Sequence, residues 1–106
     1  MFAHNENVTL EELGGGLSRK ILAYSDNIMT CEVHFETGTV AAMHKHPHEQ
    51  ITYVVSGVFE FTVGDETKIV KAGDAIYKEP NIMHGAKCVE KGILIDNFTP
   101  MRKDFL

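Results

Sequence analysis

The sequence predicts an all-β sandwich or barrel that forms a single domain. After Gly16 the chain is a series of about nine short segments in which apolar and polar residues alternate, as they do in half-buried strands. Turn-forming residues separate these segments roughly every 8–12 residues. The 106 residues contain no Pro/Ser-rich linker, repeat or low-complexity tract, so we expect one barrel rather than two domains.

The strands are defined by their alternation and by the turns between them. Cys31, Val33 and Phe35 fall on one face of a predicted strand, opposite a polar face. The segment 58–63 alternates equally well and ends at Gly64-Asp65, which is a hairpin signal. The predicted strands are, in chain order, 17–24, 28–36, 39–46, 49–57, 58–63, 67–70, 75–78, 82–89 and 93–98.

The two ends of the chain are predicted to lie outside the barrel. We expect an N-terminal arm at 1–16, the barrel at 17–98 and a C-terminal tail at 99–106, with short helical turns at the termini. In the arm, residues 9–13 fit one helical turn, with Thr9 as its cap and Glu12 at the capping-box position. The glycines at 14–16 end that turn, and they lack the Lys-Ser/Thr pair of a phosphate-binding loop.

Charge and hydropathy exclude several classes of partner. The formal net charge is −5 and the basic residues are scattered, which disfavours nucleic acid and anionic membranes as partners. No apolar run approaches the ~18 residues of a membrane span. The N-terminal segment has no signal-peptide pattern, so we expect a cytoplasmic protein in which Cys31 and Cys88 are buried, reduced thiols.

Histidines at alternate positions point to a metal site. His44 and His46 share a face if they lie in a strand, and Gln50 joins them if the register continues past Pro47. Two imidazoles on an inward face are costly to bury unless something pairs with them, and a divalent metal ion does so. Glu49 is the rival oxygen ligand, but alternation directs it away from that face, which favours Gln50.

The other four histidines have different interpretations. His84 follows a glycine-led strand and a proline turn, so the chain can bring it back across the barrel as a fourth ligand. His48 has the right parity but follows Pro47, and it is interpreted as a ligand, a supporting residue or a residue at the mouth of the site. His34 is either an exposed, hydrogen-bonded histidine or a site residue, and His4 lies in a mobile terminus.

Two segments of the chain resemble the sequence motifs of cupins. The first motif, G-x5-H-x-H-x3,4-E-x6-G, corresponds to Gly38, His44, His46, Gln50 and Gly57 with every spacing kept. The second motif, G-x5-P-x-G-x2-H-x3-N, corresponds more loosely to Gly73, Glu79, His84 and Cys88. This resemblance implies a double-stranded β-helix, or jelly-roll, barrel. It also implies one divalent ion, zinc, nickel, iron or manganese, held by His44, His46, Gln50 and His84.

The C-terminal segment narrows the resemblance to one family. Its pattern D-x-F-x-P-x-R-x-D-F-L, from Asp96 to Leu106, resembles the end of the pectin degradation protein family, and the similarity extends back to Glu11. Members of that family are small metal-binding cupins that linearise 4,5-unsaturated uronates. The resemblance therefore implies an isomerase- or lyase-type enzyme that produces 5-keto-4-deoxyuronate from pectin- or alginate-derived sugars.

The resemblance also implies roles for three C-terminal residues. Asp96 is the candidate for proton transfer, Arg102 for gripping the substrate carboxylate, and Phe98 for walling the pocket. From the residues alone, Asp96 could cap a turn and Arg102 could pair with Asp104. We expect a small anionic sugar as the substrate and a homodimer as the assembly.

Two other functions suit the same barrel. One is an iron-dependent dioxygenase, although Gln50 in place of a carboxylate ligand speaks against oxygen chemistry. The other is a non-catalytic sugar-binding protein, which would bind its ligand without turnover.

Overall fold

The computed structural model describes all 106 residues and is nearly all β, which confirms the predicted fold class. Its strands are β1 (Glu11–Gly14), β2 (Leu17–Tyr24), β3 (Met29–Phe35), β4 (Val40–His44), β5 (Glu49–Val63), β6 (Glu66–Lys71), β7 (Ala75–Lys78) and β8 (His84–Thr99). They form one antiparallel sheet in the order β1-β2-β3-β8-β5-β6, with β4 paired to β8 and β7 paired to β5. Because β8 pairs with three other strands, its residues reach every part of the interior.

Two of the eight strands are much longer than the sequence predicts. The segments 49–57 and 58–63 form one continuous strand, β5, and 82–89 and 93–98 form another, β8. Turns are predicted between these segments, near Gly57 and Gly92, but the strands continue through both positions as bulges. Gly57 has φ +86° and lies against the backbone of β8, where a Cβ would come within 2.6 Å of Gly92 Cα and of the Glu90 carbonyl oxygen. Glycine at this position therefore bends the strand pair without ending it.

The predicted helical turn at 9–13 is wrong. Residues from Glu11 onward form β1, and Glu11 lies opposite Arg19 of β2. A single helical turn is unstable on its own, whereas a hairpin completes cross-strand hydrogen bonds with β2. Short helical turns do occur at both termini, as 3₁₀ turns at Asn5–Asn7 and Lys103–Phe105. Neither of these turns could span a membrane, and the chain has no other helix.

The core lies between β3, β5 and β8 and follows the predicted alternation. In β3 the residues Met29, Cys31, Val33 and Phe35 are buried while those between them are only partly so. The thiols of Cys31 and Cys88 are free and buried, and burial raises the pKa of Cys31 to about 12. The core fills part of the barrel, and a cavity occupies the remainder beside β8.

Candidate metal centre and cavity

Three histidines converge at one end of the barrel, where His46 and His84 are buried and His44 is exposed. His44 is the last residue of β4, His84 is the first residue of β8, and the pairing of these strands sets the two opposite each other. One ring nitrogen from each of His44, His46 and His84 lies within 4.8 Å of the others. The predicted strand 39–46 ends early, at His44, so His46 reaches the group from the connection before β5 and not from a shared strand face.

Backbone carbonyls hold all three rings in the same way. The Nδ1 atoms of the three rings contact carbonyl oxygens two residues away, with distances of 2.8 Å for His44 to Ala42, 3.0 Å for His46 to His48 and 3.0 Å for His84 to Ile82. A ring that donates its Nδ1–H keeps the lone pair on Nε2. Metal-binding histidines are commonly oriented by such a hydrogen bond, so the three Nε2 atoms are available as candidate ligands.

Gln50 supplies an oxygen to the same group. Its Oε1 lies 2.8 Å from His46 Nε2, while its Nε2 donates a 3.3 Å hydrogen bond to Thr52 Oγ1. When His46 Nδ1 carries the proton, both atoms of the 2.8 Å contact are acceptors, and a shared cation satisfies both. Glu49 points outward instead, where its carboxylate accepts a 2.5 Å hydrogen bond from the Tyr77 hydroxyl.

The chemistry of these four side chains suits a divalent metal ion. His84 Nε2 is buried and has no hydrogen-bond partner, as an open ligand atom would be. Burial lowers the pKa of His46, and it lowers the pKa of His84 to about 4, so both rings are neutral near pH 7, the form that binds metals. Three imidazoles and an amide oxygen suit zinc, nickel, iron or manganese.

The remaining histidines lie outside this group. His48 is half-buried beside Phe98, with ring centres 6.4 Å apart, and contributes its backbone carbonyl to His46. His34 Nε2 lies 2.6 Å from the carboxylate of Glu32, which gives it a hydrogen-bonding role away from the other rings. His4 is exposed in the N-terminal segment.

A cavity of about 200 Å³ adjoins the histidine group. His44, His84 and Gln50 reach it from one side, and aromatic rings, including those of Phe98 and Phe105, form much of its wall. Its charged lining residues are Arg19, Lys78, Arg102 and Asp96. The lining thus contains three cationic side chains and one carboxylate, although the whole chain carries a net charge of −5.

The three residues of the C-terminal pattern all line this cavity. Asp96 Oδ1 accepts a 2.5 Å hydrogen bond from Thr52, and the Phe98 ring packs 5.7 Å from the His46 ring. Arg102 does pair with Asp104, through contacts of 3.0 Å from Nε and 2.8 Å from Nη2. That ion pair lowers the pKa of Asp104, and it leaves the Arg102 guanidinium 4.3 Å from the centre of the Phe105 ring.

Three further polar residues of the cavity region escaped the sequence analysis. Lys78 is only 2% exposed, and its Nζ donates a 2.8 Å hydrogen bond to Thr52, which is fully buried. Burial lowers the pKa of Lys78, and the nearby charge of Asp96 opposes that shift. Arg19 Nε is buried without a partner. Alternation alone places Lys78 on the face of Ile76 and Arg19 on the face of Leu17, so strand parity is the signal that could have found both.

The fold and the site together place this chain among small β-barrel proteins with a candidate metal site. It forms one antiparallel barrel, and a group of histidines lies beside its cavity. The profile described as "Cupin domain" matches residues 31–95. The pectin degradation protein KdgF of Dickeya dadantii is 48% identical over 98 residues, covering 91% of this chain and 89% of the relative. The chain therefore belongs to the cupin superfamily and, within it, to the family of that protein.

Solved structures agree with this placement. KdgF from a Halomonas species superposes with a TM-score of 0.96 at 36% identity, covering 100% of this chain and 98% of that one. An RmlC-like cupin from Shewanella frigidimarina superposes with a TM-score of 0.97 at 39% identity, covering 99% of this chain and 95% of that one.

Proposed function

We propose that this protein converts 4,5-unsaturated uronates to 5-keto-4-deoxyuronate, with one divalent metal ion as its cofactor. The observation that carries the proposal is the cavity that places three of the four candidate metal ligands, His44, Gln50 and His84, beside one carboxylate, Asp96. The relatives named pectin degradation protein and KdgF support a sugar acid from pectin as the substrate. Family membership gives a role in pectin degradation, and the proposal adds the substrate and the reaction.

The charges of the cavity suit an anionic sugar. An acidic protein repels an anionic substrate at long range, so local positive charge must hold it. Arg19, Lys78 and Arg102 provide that charge around Asp96. Arg102 lies beside Phe98 and Phe105, where a planar guanidinium can grip a carboxylate through two hydrogen bonds. To do so, it exchanges the carboxylate of Asp104 for that of the substrate.

The reaction needs a group that moves one proton. Ring opening removes the proton of the C1 hydroxyl as the bond from C1 to the ring oxygen breaks, which leaves an aldehyde and a C4–C5 enolate. Addition of a proton to C4 then gives the 5-ketone, so protons balance overall and one carboxylate can carry the proton between the two positions. Asp96 has its Oδ1 engaged by Thr52, so its other oxygen is the one we assign to this transfer. A bound metal ion supplies Lewis-acid polarisation of substrate oxygens.

The proposal is tested by an assay on lyase-derived monouronate. The conjugated C=C bond absorbs in the ultraviolet, and we expect metal-loaded protein to remove this absorbance faster than the spontaneous reaction does. Absence of acceleration would refute the proposal. Binding of the sugar without turnover would instead support a sugar-binding protein, and oxygen consumption would support a dioxygenase.

Replacing Arg102 by lysine tests the carboxylate clamp. Lysine keeps the charge but loses the two-pronged hydrogen bonding, so we expect KM for the monouronate to rise about 10-fold while kcat changes less. Steady-state kinetics measure both quantities, and Lys103→Ala, at the exposed neighbouring position, is the control. A KM equal to that of the original protein would exclude Arg102 from substrate binding.

We also propose that the protein forms a homodimer and resides in the cytoplasm. Large apolar side chains are exposed along the outer face of β5 and β7, namely Ile51, Tyr53, Val55 and Tyr77. Such a strip favours burial against a second copy, and sedimentation velocity would show a monomer if this is incorrect.

The two free thiols suit a reducing compartment, which fractionation of cells that produce the protein would check.

A further inference from the structure

One hydroxyl group joins the two halves of the proposed site. Thr52, on β5, is completely buried, and its Oγ1 contacts three polar side chains. These contacts are 2.5 Å to Asp96 Oδ1, 2.8 Å to Lys78 Nζ and 3.3 Å to Gln50 Nε2. The register of the sheet explains the arrangement, because Thr52 pairs with Asp96 across β5 and β8 and Gln50 pairs with Lys78 across β5 and β7.

The direction of these hydrogen bonds is determined by their chemistry. Lys78 Nζ and Gln50 Nε2 each donate a hydrogen bond to Thr52 Oγ1, which accepts from both. Both of its lone pairs are then used, and its one proton must go to Asp96. The hydroxyl therefore holds Oδ1 of the carboxylate and leaves the other oxygen for a reacting group.

The same hydroxyl sets the orientation of Gln50. Donation from Gln50 Nε2 to Thr52 fixes which end of the amide faces the histidines, so Oε1 is directed at His46 Nε2, 2.8 Å away. Without an acceptor at Thr52, the amide loses the contact that distinguishes its oxygen from its nitrogen. Thr52 thus touches both the proton-transfer candidate and a candidate metal ligand.

Lys78 completes this arrangement. It is 2% exposed, it forms no ion pair, and its Nζ lies 4.6 Å above the Phe61 ring. A buried lysine without a directly paired carboxylate is uncommon because desolvation is costly. Its 2.8 Å hydrogen bond to Thr52 places Lys78 Nζ on the same hydroxyl that donates to Asp96, and donation from a protonated amine strengthens the bond from Thr52 to the carboxylate.

We propose that Thr52 and Lys78 are positioning residues that orient Asp96 and Gln50 together. Loss of the Thr52 hydroxyl then lowers turnover through Asp96 and weakens metal binding through Gln50, whereas substrate affinity, which we assign to Arg102, changes little. The turnover part rests on the proposed function, but the metal-binding part is independent of it.

The test compares Thr52→Val, which has the same shape but no hydroxyl, with Thr52→Ser, which keeps the hydroxyl. Steady-state kinetics on lyase-derived monouronate give kcat and KM, and titration with Co²⁺, followed by its visible absorption, gives metal affinity. We expect Thr52→Val to lower kcat and Co²⁺ affinity by about 10–100-fold each, with KM little changed, as for residues that orient a metal ligand. Thr52→Ser should restore both quantities to within about threefold.

The control variant is Thr62→Val, on the same strand. The Thr62 hydroxyl is paired with that of Thr67 at 2.9 Å on the exposed side of the sheet, so we expect no change in either readout. Lys78→Met, which keeps an unbranched side chain and removes the amino group, should lower kcat as Thr52→Val does. The double variant should lose little more than Thr52→Val alone, because the two residues act as one unit.

The two possible failures can be told apart. If the original protein has no turnover, the proposed function is wrong and the Co²⁺ titration alone decides the role of Thr52. If the original protein is active, unchanged kcat and unchanged Co²⁺ affinity in Thr52→Val overturn the inference. A serine variant as impaired as the valine variant also overturns it, since packing and not the hydroxyl would then matter. Should Thr52→Val not fold, Lys78→Met provides the same pair of readouts.

Discussion

Replacing Asp96 by asparagine is expected to lower kcat about 10²–10⁴-fold, the usual contribution of a positioned proton-transfer group. The asparagine side chain has nearly the same volume, and its Oδ1 can still accept the hydrogen bond from Thr52, so the fold should be retained. It cannot carry a proton between the C1 hydroxyl and C4. The initial rate of absorbance loss on lyase-derived monouronate, with the protein metal-loaded, measures the effect.

The control for this variant is Asp65→Asn. Asp65 lies exposed in the turn between β5 and β6, far from Asp96 in sequence, and the same change of charge there should leave kcat unaltered. Co²⁺ affinity should also be similar in Asp96→Asn and the original protein, because Asp96 is not among the candidate ligands. If Asp96→Asn has the kcat of the original protein, Asp96 does not transfer the proton and another group must do so.

Features that depend on neighbouring residues of one strand could be predicted from the sequence. Alternation has a period of two wherever one face is buried, so it identified the buried face of β3 and favoured Gln50 over Glu49 as the inward residue. The structure indeed buries Gln50 and directs Glu49 to Tyr77. Strand ends were predicted less well where a glycine occurs within a strand. The sequence around Gly57 is compatible with a bulge and with a turn, and the structure has a bulge there.

Features that depend on contacts between strands could not be predicted in this way. Thr52 and Lys78 are 26 residues apart, and their 2.8 Å contact exists only because β7 pairs with β5 in one particular register. His46 illustrates the opposite case, because its predicted strand ends at His44 while the His46 ring still lies among those of His44 and His84. The backbone carbonyl of His48 holds that ring and Gln50 Oε1 lies 2.8 Å from its Nε2, so local contacts replace the strand geometry from which its position was expected.

Replacing His84 by alanine is expected to weaken Co²⁺ binding by at least about 100-fold and to abolish turnover. The magnitude follows because loss of a residue that merely orients a ligand already costs about 10–100-fold, and a direct ligand should cost more. His84 is the most informative histidine to remove because its buried Nε2 has no hydrogen-bond partner and its ring belongs to the three-histidine group, whereas His48, whose Nδ1 is also buried without a partner, lies outside that group. That atom makes no hydrogen bond within the fold, so a loss of Co²⁺ affinity in the variant reports on its role as a ligand.

The matched controls for His84→Ala are two histidines of the same chain. His34→Ala removes a ring that pairs with Glu32 outside the group, and His48→Ala keeps the backbone carbonyl that holds His46, so both should bind Co²⁺ nearly as tightly as the original protein. Equal weakening in all three variants would mean that Co²⁺ binds to scattered surface imidazoles. Weakening confined to His84→Ala would instead tie the metal to β8, the strand that also carries Asp96, and so connect metal binding and proton transfer through one element of the fold.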